Sequence, residues 1–146
     1  MNKFLPILCL LIIASCSKEV MDDQILIRQN LAYEVNADTP FSGYSLAYHP
    51  NGQLRSKVKL KNGLRNGIHE YFLENGQLLT RDTYKNGLPH GQKEMYYMEN
   101  GALMKRESWK NGKREGLSEE YFLNGQLRSH DCWQQNKSVS ISYCKK

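Results

Sequence analysis

The sequence has few apolar residues and only a modest excess of charge. Its 146 residues leave room for one domain, and hydrophobic residues make up 40% of them, with a mean hydropathy of −0.66. A core-rich enzyme fold around a deep pocket is therefore not expected. The formal net charge is only +5. Disorder does not fit either, because nine tyrosines, four phenylalanines and two tryptophans are spread at regular spacing.

Motifs for metal binding and for nucleophilic catalysis are missing from the sequence. No histidine has a second histidine or a cysteine at metal-ligand spacing, and no serine lies in a nucleophile-elbow context. We therefore expect no catalytic residue, no metal and no cofactor. The histidines in question are His49, His69, His90 and His130.

The first fifteen residues have the three parts of a secretory signal. Lys3 supplies a positive charge, and residues 4–13 form an apolar run that is too short to span a bilayer. The string Ile13-Ala14-Ser15-Cys16 resembles a bacterial lipobox. That resemblance implies cleavage before Cys16 and acylation of this cysteine. The alternative is an ordinary secretory signal followed by a chance cysteine.

The residue after Cys16 indicates in which membrane the protein is anchored. Ser17 is not the aspartate that, by resemblance to enterobacterial lipoproteins, would imply retention in the inner membrane. We therefore expect a lipid-anchored protein of the cell envelope, at the outer membrane rather than the inner one. Residues 16–24 are interpreted as the lipidated cysteine and a polar tether.

Two turn markers alternate along the rest of the chain with a period of 24 or 25 residues. The first is Asn-Gly, and the second is Lys-Asn-Gly, whose last copy is degenerate. Copies of the first marker end at Gly52, Gly76, Gly101 and Gly125. Copies of the second marker end at Gly63, Gly87 and Gly112, and Asn136 occupies the equivalent position of the degenerate fourth copy.

The markers predict an all-β fold. Asn-Gly is a strong hairpin signal, because both central residues of a type I′ turn have positive φ. We predict this tight turn at the first marker and a looser turn at the second. The result is an elongated single antiparallel meander of β-hairpin repeats. We expect about four full repeats in residues 43–146, a degenerate N-terminal half-repeat in residues 25–42 that caps the sheet, and a closing strand over residues 139–143.

The strand register follows from the predicted two-residue turn at Asn75-Gly76. In three of the four repeats it places a strand glycine opposite a large side chain, and it makes His69–Asp82 a surface hydrogen bond. In the third repeat one extra residue predicts a bulge, with Gln92 rather than Gly91 opposite Trp109. The other predicted pairs are Leu73–Leu78, Tyr71–Thr80, Gly67–Tyr84, Gly116–Trp133 and Gly43–Leu60.

Alternation along the strands then separates two faces. One is predicted to be an apolar structural stripe that replaces a globular core: Leu54, Val58, Leu60, Leu73, Leu78, Tyr84, Met98, Leu103, Trp109, Phe122, Leu127 and Trp133. The other combines cations with aromatic residues: Arg55, Lys57, Lys59, Arg81, Arg106, Arg128 and His130 with Tyr44, Tyr48, Phe72, Tyr97 and Tyr121.

The basic-aromatic face has three interpretations. It is a solvated surface, a surface for anionic lipid or glycan, or a site for a protein partner, since aromatic residues and arginine dominate interface hot spots. Nucleic acid is not expected, because the predicted address is outside the cytoplasm. The candidate partner-binding residues are Tyr48, Arg55, Lys57, Phe72, Arg81, Tyr97, Arg106, Tyr121 and Arg128.

Cys132 and Cys144 are the two thiols that remain after processing, apart from Cys16. An exported protein favours a disulfide between them. A regular continuation of the strands, however, places them on opposite faces, so that the bond needs a one-residue slip in the last turn. Both outcomes stay open at this point.

The repeat pattern resembles the MORN-repeat variant family, many of whose bacterial members are lipoproteins. The segments Tyr71-Phe72 to Asn75-Gly76 and Lys85-Asn86-Gly87 match its unit, as do Tyr96-Tyr97 to Asn100-Gly101 and Lys110-Asn111-Gly112. The lead-in over residues 33–43 is similar to that of the YwqK-type antitoxin family. The resemblance covers roughly residues 30–137, and it implies a hairpin-repeat scaffold with a binding role.

Together these features predict a non-enzymatic, monomeric, lipid-anchored scaffold that binds a protein partner, of which an antitoxin or immunity role is one form. The alternative is an envelope-surface module that binds anionic lipid or glycan through the basic-aromatic face.

Overall fold

The computed structural model describes residues 17–145, so the predicted signal and Cys16 lie outside the described residues. Within that range the chain forms twelve strands and two short 3₁₀ helices, and no helix is long and apolar enough to cross a membrane. The strands are β1 Glu19–Met21, β2 Ile25–Arg28, β3 Leu31–Glu34, β4 Gly43–Tyr48, β5 Leu54–Lys61, β6 Leu64–Phe72, β7 Leu78–Lys85, β8 Leu88–Tyr96, β9 Leu103–Lys110, β10 Lys113–Tyr121, β11 Leu127–Gln134 and β12 Lys137–Val139; the 3₁₀ helices are Asp22–Gln24 and Ile141–Lys145.

Ten of these strands form one sheet in the order β1-β4-β5-β6-β7-β8-β9-β10-β11-β12, and β2 and β3 form a separate hairpin. From β4 onward every neighbouring pair is antiparallel, which confirms the predicted meander. The predicted tether is wrong at its C-terminal end. Residues 19–21 form β1, which pairs parallel to β4, and the Tyr44 N–H donates to the Lys18 carbonyl at 2.8 Å.

The tight turns lie at the second marker, not the first as predicted. Lys85 pairs with Leu88, and the two residues between them, Asn86 and Gly87, have φ of 50° and 82°. Both positive values define a type I′ turn, and the equivalent turns at Gly63 and Gly112 are the same. A two-residue turn of this type matches the right-handed twist of the strands that it joins.

The first marker makes a longer loop in which only the glycine has positive φ. Gly76 has φ of 82°, and its N–H donates to the Leu73 carbonyl at 2.9 Å. The Asn75 side chain accepts a hydrogen bond from the Gln77 N–H at 3.0 Å. Asparagine is therefore selected here as the acceptor of an Asx turn rather than for a left-handed backbone.

Most of the predicted register is confirmed. The exceptions are Leu78, which pairs with Phe72 rather than Leu73, and Trp109, which pairs with Gly91 rather than Gln92. The extra residue of the third repeat lies in the loop before Leu103, and a register shift near the end of the incoming strand occurs in every repeat. The confirmed pairs are Gly43–Leu60, Gly67–Tyr84, His69–Asp82, Tyr71–Thr80 and Gly116–Trp133.

Each type I′ turn is hydrogen-bonded to the repeat before it. The Gly87 N–H donates to the Arg65 carbonyl at 2.8 Å, and the Asn86 N–H donates to the Asn66 side chain at 3.2 Å. The same two bonds recur one repeat later, from Gly112 to the Pro89 carbonyl and from Asn111 to the His90 side chain. Such contacts between neighbours are what stabilise a repeat protein.

The predicted apolar stripe is wrong as a description of the core. Of its members only Leu60 is buried, and Met98 is 62% exposed. The buried apolar cluster is small and lies at the N-terminal end, where Ala32 and Phe41 pack on Leu60 together with Val20. Within residues 17–145 no second layer covers most of the sheet, so most of these apolar residues stay partly exposed.

The two ends of the sheet are covered on opposite faces. The β2–β3 hairpin covers the first repeat on the face of Leu60. At the other end the predicted closing strand is wrong, since β12 ends at Val139 and a 3₁₀ helix follows. That helix brings Cys144 to the opposite face, where it is bonded to the buried Cys132 with a Cα–Cα distance of 5.9 Å. No slip of the last turn is needed.

Candidate binding faces

The sheet presents two faces, each crossed by a row of residues paired from strand to strand. We name the first the hairpin face, because the β2–β3 hairpin packs on it, and the second the ladder face. The central row of the hairpin face is Ser45, Val58, His69, Asp82, Lys93, Glu107, Ser118 and Asp131. The central row of the ladder face is Leu46, Lys57, Glu70, Arg81, Glu94, Arg106, Glu119 and His130.

The row on the ladder face alternates in charge from Lys57 onward. Arg81 lies 3.0 Å from Glu70 and 3.8 Å from Glu94. Arg106 lies 3.3 Å from Glu94 and 3.7 Å from Glu119. The side-chain hydrogen bond to Glu70 raises the pKa of Arg81. Opposite charges directly across neighbouring strands stabilise the pairing.

This alternation corrects the predicted basic-aromatic face. Arg81 and Arg106 face acidic partners that the sequence analysis did not place there, so the central row is a self-neutralised ladder. The predicted cation–aromatic contact is present at one end of this face, where Lys57 and Lys59 lie 4.4 and 5.5 Å from the Tyr44 ring centroid. Two further cations are paired with residues before the hairpin: Lys57 with Glu19 at 3.0 Å, and Arg55 with Asp22 at 3.1 Å.

The aromatic residues predicted for that face do not form one patch with the arginines. Tyr97 lies in a loop, where its hydroxyl donates to the Tyr121 carbonyl at 2.8 Å and so links two repeats. The carbonyl of Phe72 accepts a hydrogen bond from His49 at 2.8 Å. Tyr48 is 43% exposed, and Arg128 lies 5.7 Å from the Phe122 ring centroid. The Tyr97 and His49 hydrogen bonds join neighbouring repeats at the first-marker loops, whereas the Arg128–Phe122 contact lies within one repeat.

The hairpin face carries the combination of aromatic residues and arginine that the sequence analysis sought on the other side. Arg65 lies 5.3 Å from the Tyr84 ring centroid, and Arg114 lies 4.8 Å from that of Trp133 and 5.7 Å from that of Trp109. All three aromatic side chains are half-buried. We name these five residues the aromatic row.

The aromatic rings of the row are open because the hairpin lies at the N-terminal end of the sheet, over Leu60, with Arg65 at its margin. Leu60 occupies the position equivalent to Tyr84, Trp109 and Trp133, and it is buried beneath Phe41 and Ala32. The equivalent aromatic residues have no such cover among residues 17–145. The sequence did carry a signal for this difference: the residue before the second marker changes from leucine to tyrosine to tryptophan along the chain.

A buried polar row runs beside the aromatic row. His69 is fully buried, its ring stacks on Tyr84 at 4.6 Å, and its Nε2 donates to the Lys59 carbonyl at 3.1 Å. Burial lowers the pKa of His69 to about 4, against the opposing effect of the Lys59 hydrogen bond, and burial raises the pKa of Asp82. The predicted surface hydrogen bond between them is wrong. The two residues are paired across neighbouring strands. Their side-chain atoms His69 Nδ1 and Asp82 Oδ1 are, however, buried and have no hydrogen-bond partner among residues 17–145.

Glu107 is the other buried acid of this row. Its carboxylate lies 3.3 Å from Lys105 and 3.4 Å from Arg114, so the charge is compensated by two cations. The Glu107 carboxylate therefore holds the Arg114 guanidinium beside the Trp109 and Trp133 rings. Among residues 17–145 no group of three or more side chains is arranged to hold a metal ion.

The fold and these faces define a single-layer β-hairpin repeat protein. The MORN repeat variant family matches three segments of the chain, residues 42–62, 65–86 and 114–135. Each segment spans strands and turns of the meander described above, so the match to MORN repeats agrees with the hairpin repeats of the fold. No curated protein matches the chain.

Proposed function

We propose that the protein is a non-enzymatic, lipid-anchored scaffold that binds a protein partner through the aromatic row. The observation that carries this proposal is the line of partly exposed Tyr84, Trp109 and Trp133, with Arg65 against Tyr84 and Arg114 between the two tryptophans. Tryptophan, tyrosine and arginine are the residues that most often dominate interface energies. Repeats that match the MORN family on a single sheet are consistent with a binding scaffold.

The anchoring part of the proposal is supported by the lipobox resemblance of Ile13-Ala14-Ser15-Cys16. Acylation of Cys16 attaches the domain to the envelope, and Ser17 favours the outer membrane. An antitoxin or immunity role is one form of the proposed binding, and it is supported by the similarity of the lead-in segment to YwqK-type antitoxins.

Binding of anionic lipid or glycan through the ladder face is not proposed. Glu70, Glu94 and Glu119 lie beside the central cations of that face, Arg81 and Arg106, and neutralise them. An anionic ligand there would have to compete with these carboxylates.

In-cell photo-crosslinking tests the choice of face. A benzoylphenylalanine replaces Tyr84 or Trp133 on the aromatic row, and a matched control replaces Ile68, an exposed apolar residue on the ladder face. We expect the same partner to be crosslinked from both aromatic-row positions and not from Ile68. Recovery of no reproducible partner at native abundance, or of one from Ile68 alone, would contradict the proposal.

A further inference from the structure

The turns of the meander lie in two lines, one at each end of the strands, and these two lines of turns differ in charge. Because the meander is antiparallel, all second-marker turns lie along one edge, which we name the lysine edge. Its four turns span residues 61–64, 85–88, 110–113 and 134–137, and they contain no aspartate or glutamate. They contain five lysines, all exposed: Lys61, Lys85, Lys110, Lys113 and Lys137.

The first-marker loops along the opposite edge have the reverse character. They span residues 49–53, 73–77, 97–102 and 122–126, and the charged residues in them are Glu74 and Glu99. The nine residues of β8 separate the two edges by about 30 Å. The domain therefore carries lysines at one end of its strands and glutamates at the other end.

The lysine edge keeps an excess of positive charge, although the Glu115 carboxylate accepts a hydrogen bond from the Gln135 N–H of its last turn at 2.8 Å. Among residues 17–145 none of Lys61, Lys85, Lys110 or Lys137 takes part in an ion pair. The fifth, Lys113, donates to the neutral Gln135 side chain at 2.9 Å. This contrasts with the ladder face, where each central arginine lies between two glutamates.

The N-terminal end of the folded chain emerges at the same edge. The Lys18 carbonyl is hydrogen-bonded to Tyr44, the second residue of β4, whose first residue Gly43 pairs with Leu60 beside the Lys61 turn. Ser17 shares a shallow depression with Lys59 and Lys61. The chain that precedes Ser17 therefore starts next to the lysines.

Exposed apolar side chains accompany these lysines. Leu88 follows a second-marker turn and is 50% exposed, and Ile27 of the hairpin, 68% exposed, lines a depression with Leu64 and Gly87. Lysines interspersed with exposed aliphatic residues suit the interface between headgroups and acyl chains.

We infer that the lysine edge lies on the bilayer that holds the anchor, with its lysines on anionic phospholipid headgroups and the acidic edge pointing away. The inference rests on the proposed acylation of Cys16. Cys16 is one Cα step, about 3.8 Å, from Ser17, so its acyl chains enter the bilayer within a Debye length of Lys61. Both faces of the sheet then stand free, so that the aromatic row is accessible to a partner.

Fluorescence quenching in vesicles tests this orientation. The full chain, purified from membranes, is labelled with bimane at Leu88→Cys on the lysine edge or at Met98→Cys on the acidic edge. Both positions are exposed and apolar, and they lie at opposite ends of β8. In vesicles of phosphatidylcholine with 30% phosphatidylglycerol and a headgroup nitroxide quencher, we expect at least fivefold stronger quenching at Leu88→Cys. Equal quenching, or stronger quenching at Met98→Cys, would overturn the inference.

A pair of double variants tests the role of charge in the Leu88→Cys background. Lys85→Gln with Lys110→Gln removes two charges from the lysine edge, and Arg55→Gln with Arg128→Gln removes two from the β5 and β11 ends near the acidic edge. A lysine near an anionic surface is worth about a fivefold change in the equilibrium. We expect the lysine variant to lose most of the quenching and the arginine variant to keep it. Equal quenching of the two variants would overturn the headgroup contact.

The same samples separate failure of the inference from failure of the proposed function. Circular dichroism checks that each variant is folded, and mass spectrometry of the N-terminal peptide shows whether Cys16 carries acyl chains. A peptide without acyl chains, on protein that does not float with vesicles, removes the anchor and the inference with it. Acylated, floating protein with the wrong quenching pattern overturns the inference alone.

Discussion

Asparagine recurs in both kinds of turn for two different physical reasons. In the first-marker loops its side chain accepts a hydrogen bond from the backbone two residues on, as Asn51 does from Gln53 at 3.0 Å. In the type I′ turns its backbone is left-handed, as in Asn62 with φ of 49°. Asparagine is one of the few residues that tolerate this region. The same property lets Asn136, with φ of 67°, replace the missing glycine of the last turn.

His69 makes the stability of the protein dependent on pH. Its pKa is about 4 in the folded chain against 6.5 for an ordinary histidine, so between these values the unfolded chain binds more protons. The stabilising effect of keeping the ring neutral is complete above pH 6.5 and is lost as the pH falls to 4. We expect a loss of about 3 kcal/mol in the free energy of unfolding over this window, measured by urea denaturation.

The variant His69→Gln is the control for this prediction, because it cannot ionise while the other histidines and the carboxylates still titrate. Its unfolding free energy should fall less steeply between pH 6.5 and pH 4 than that of the natural chain. Parallel profiles for the two proteins would show that His69 is not the group responsible.

At the scale of elements, both outer strands of the sheet are short. β1 and β12 have three residues each, so they offer little unpaired backbone to another chain. The hairpin and the C-terminal 3₁₀ helix cover opposite faces at the two ends. Terminal units that differ from the repeats are a general requirement of repeat proteins.

The Cys132–Cys144 disulfide links β11 to the C-terminal 3₁₀ helix. It closes a loop across 12 positions, so replacing both cysteines with alanine should lower the free energy of unfolding by about 3 kcal/mol on a chain-entropy estimate. Because each repeat contacts only its neighbours, hydrogen-exchange protection should fall in β11 and β12 and persist in β5 to β8. Reduction of the natural chain should have the same effect. A uniform loss of protection along the sheet would contradict this local role.

At the scale of the whole molecule, the repeats are close to interchangeable units. The turn residues at 61–64 and 85–88 have the same sequence, Lys-Asn-Gly-Leu, and the same conformation. Deleting residues 64–87 removes one 24-residue repeat and leaves one such turn intact. We expect the shortened chain to keep its β-sheet circular dichroism and a cooperative thermal transition at a lower midpoint, because the end caps are retained and one set of contacts between repeats is lost.

A half-repeat deletion is the control for this experiment. Removing residues 64–75 instead deletes all of β6 and reverses the direction of every strand that follows. The hydrogen bonds from each type I′ turn to the repeat before it could then no longer form. A half-repeat variant as stable as the full-repeat variant would contradict the view that the period is the structural unit.

The period and the register could be predicted from sequence because they depend on local chemistry. Asn-Gly restricts where the chain can turn, and once the turns are fixed the pairs Gly67–Tyr84 and Gly116–Trp133 follow by counting. The assignment of turn types was wrong because the same dipeptide serves two conformations. Which one forms depends on whether the preceding repeat supplies an acceptor such as the Arg65 carbonyl to the turn.

The character of the two faces was decided by tertiary structure. Alternation correctly grouped Leu60 with Tyr84, Trp109 and Trp133 on one face, but it could not show that the hairpin covers Leu60 and leaves the aromatic row open. The sequence analysis also did not place Glu94 between Arg81 and Arg106, although the register of three consecutive strands puts it there. The sequence by itself determined the all-β meander and its repeat length, since turn chemistry acts within a few residues. Burial and charge pairing depend on which strands and caps meet in space, so only the folded chain decided which surface is open and where its charge lies.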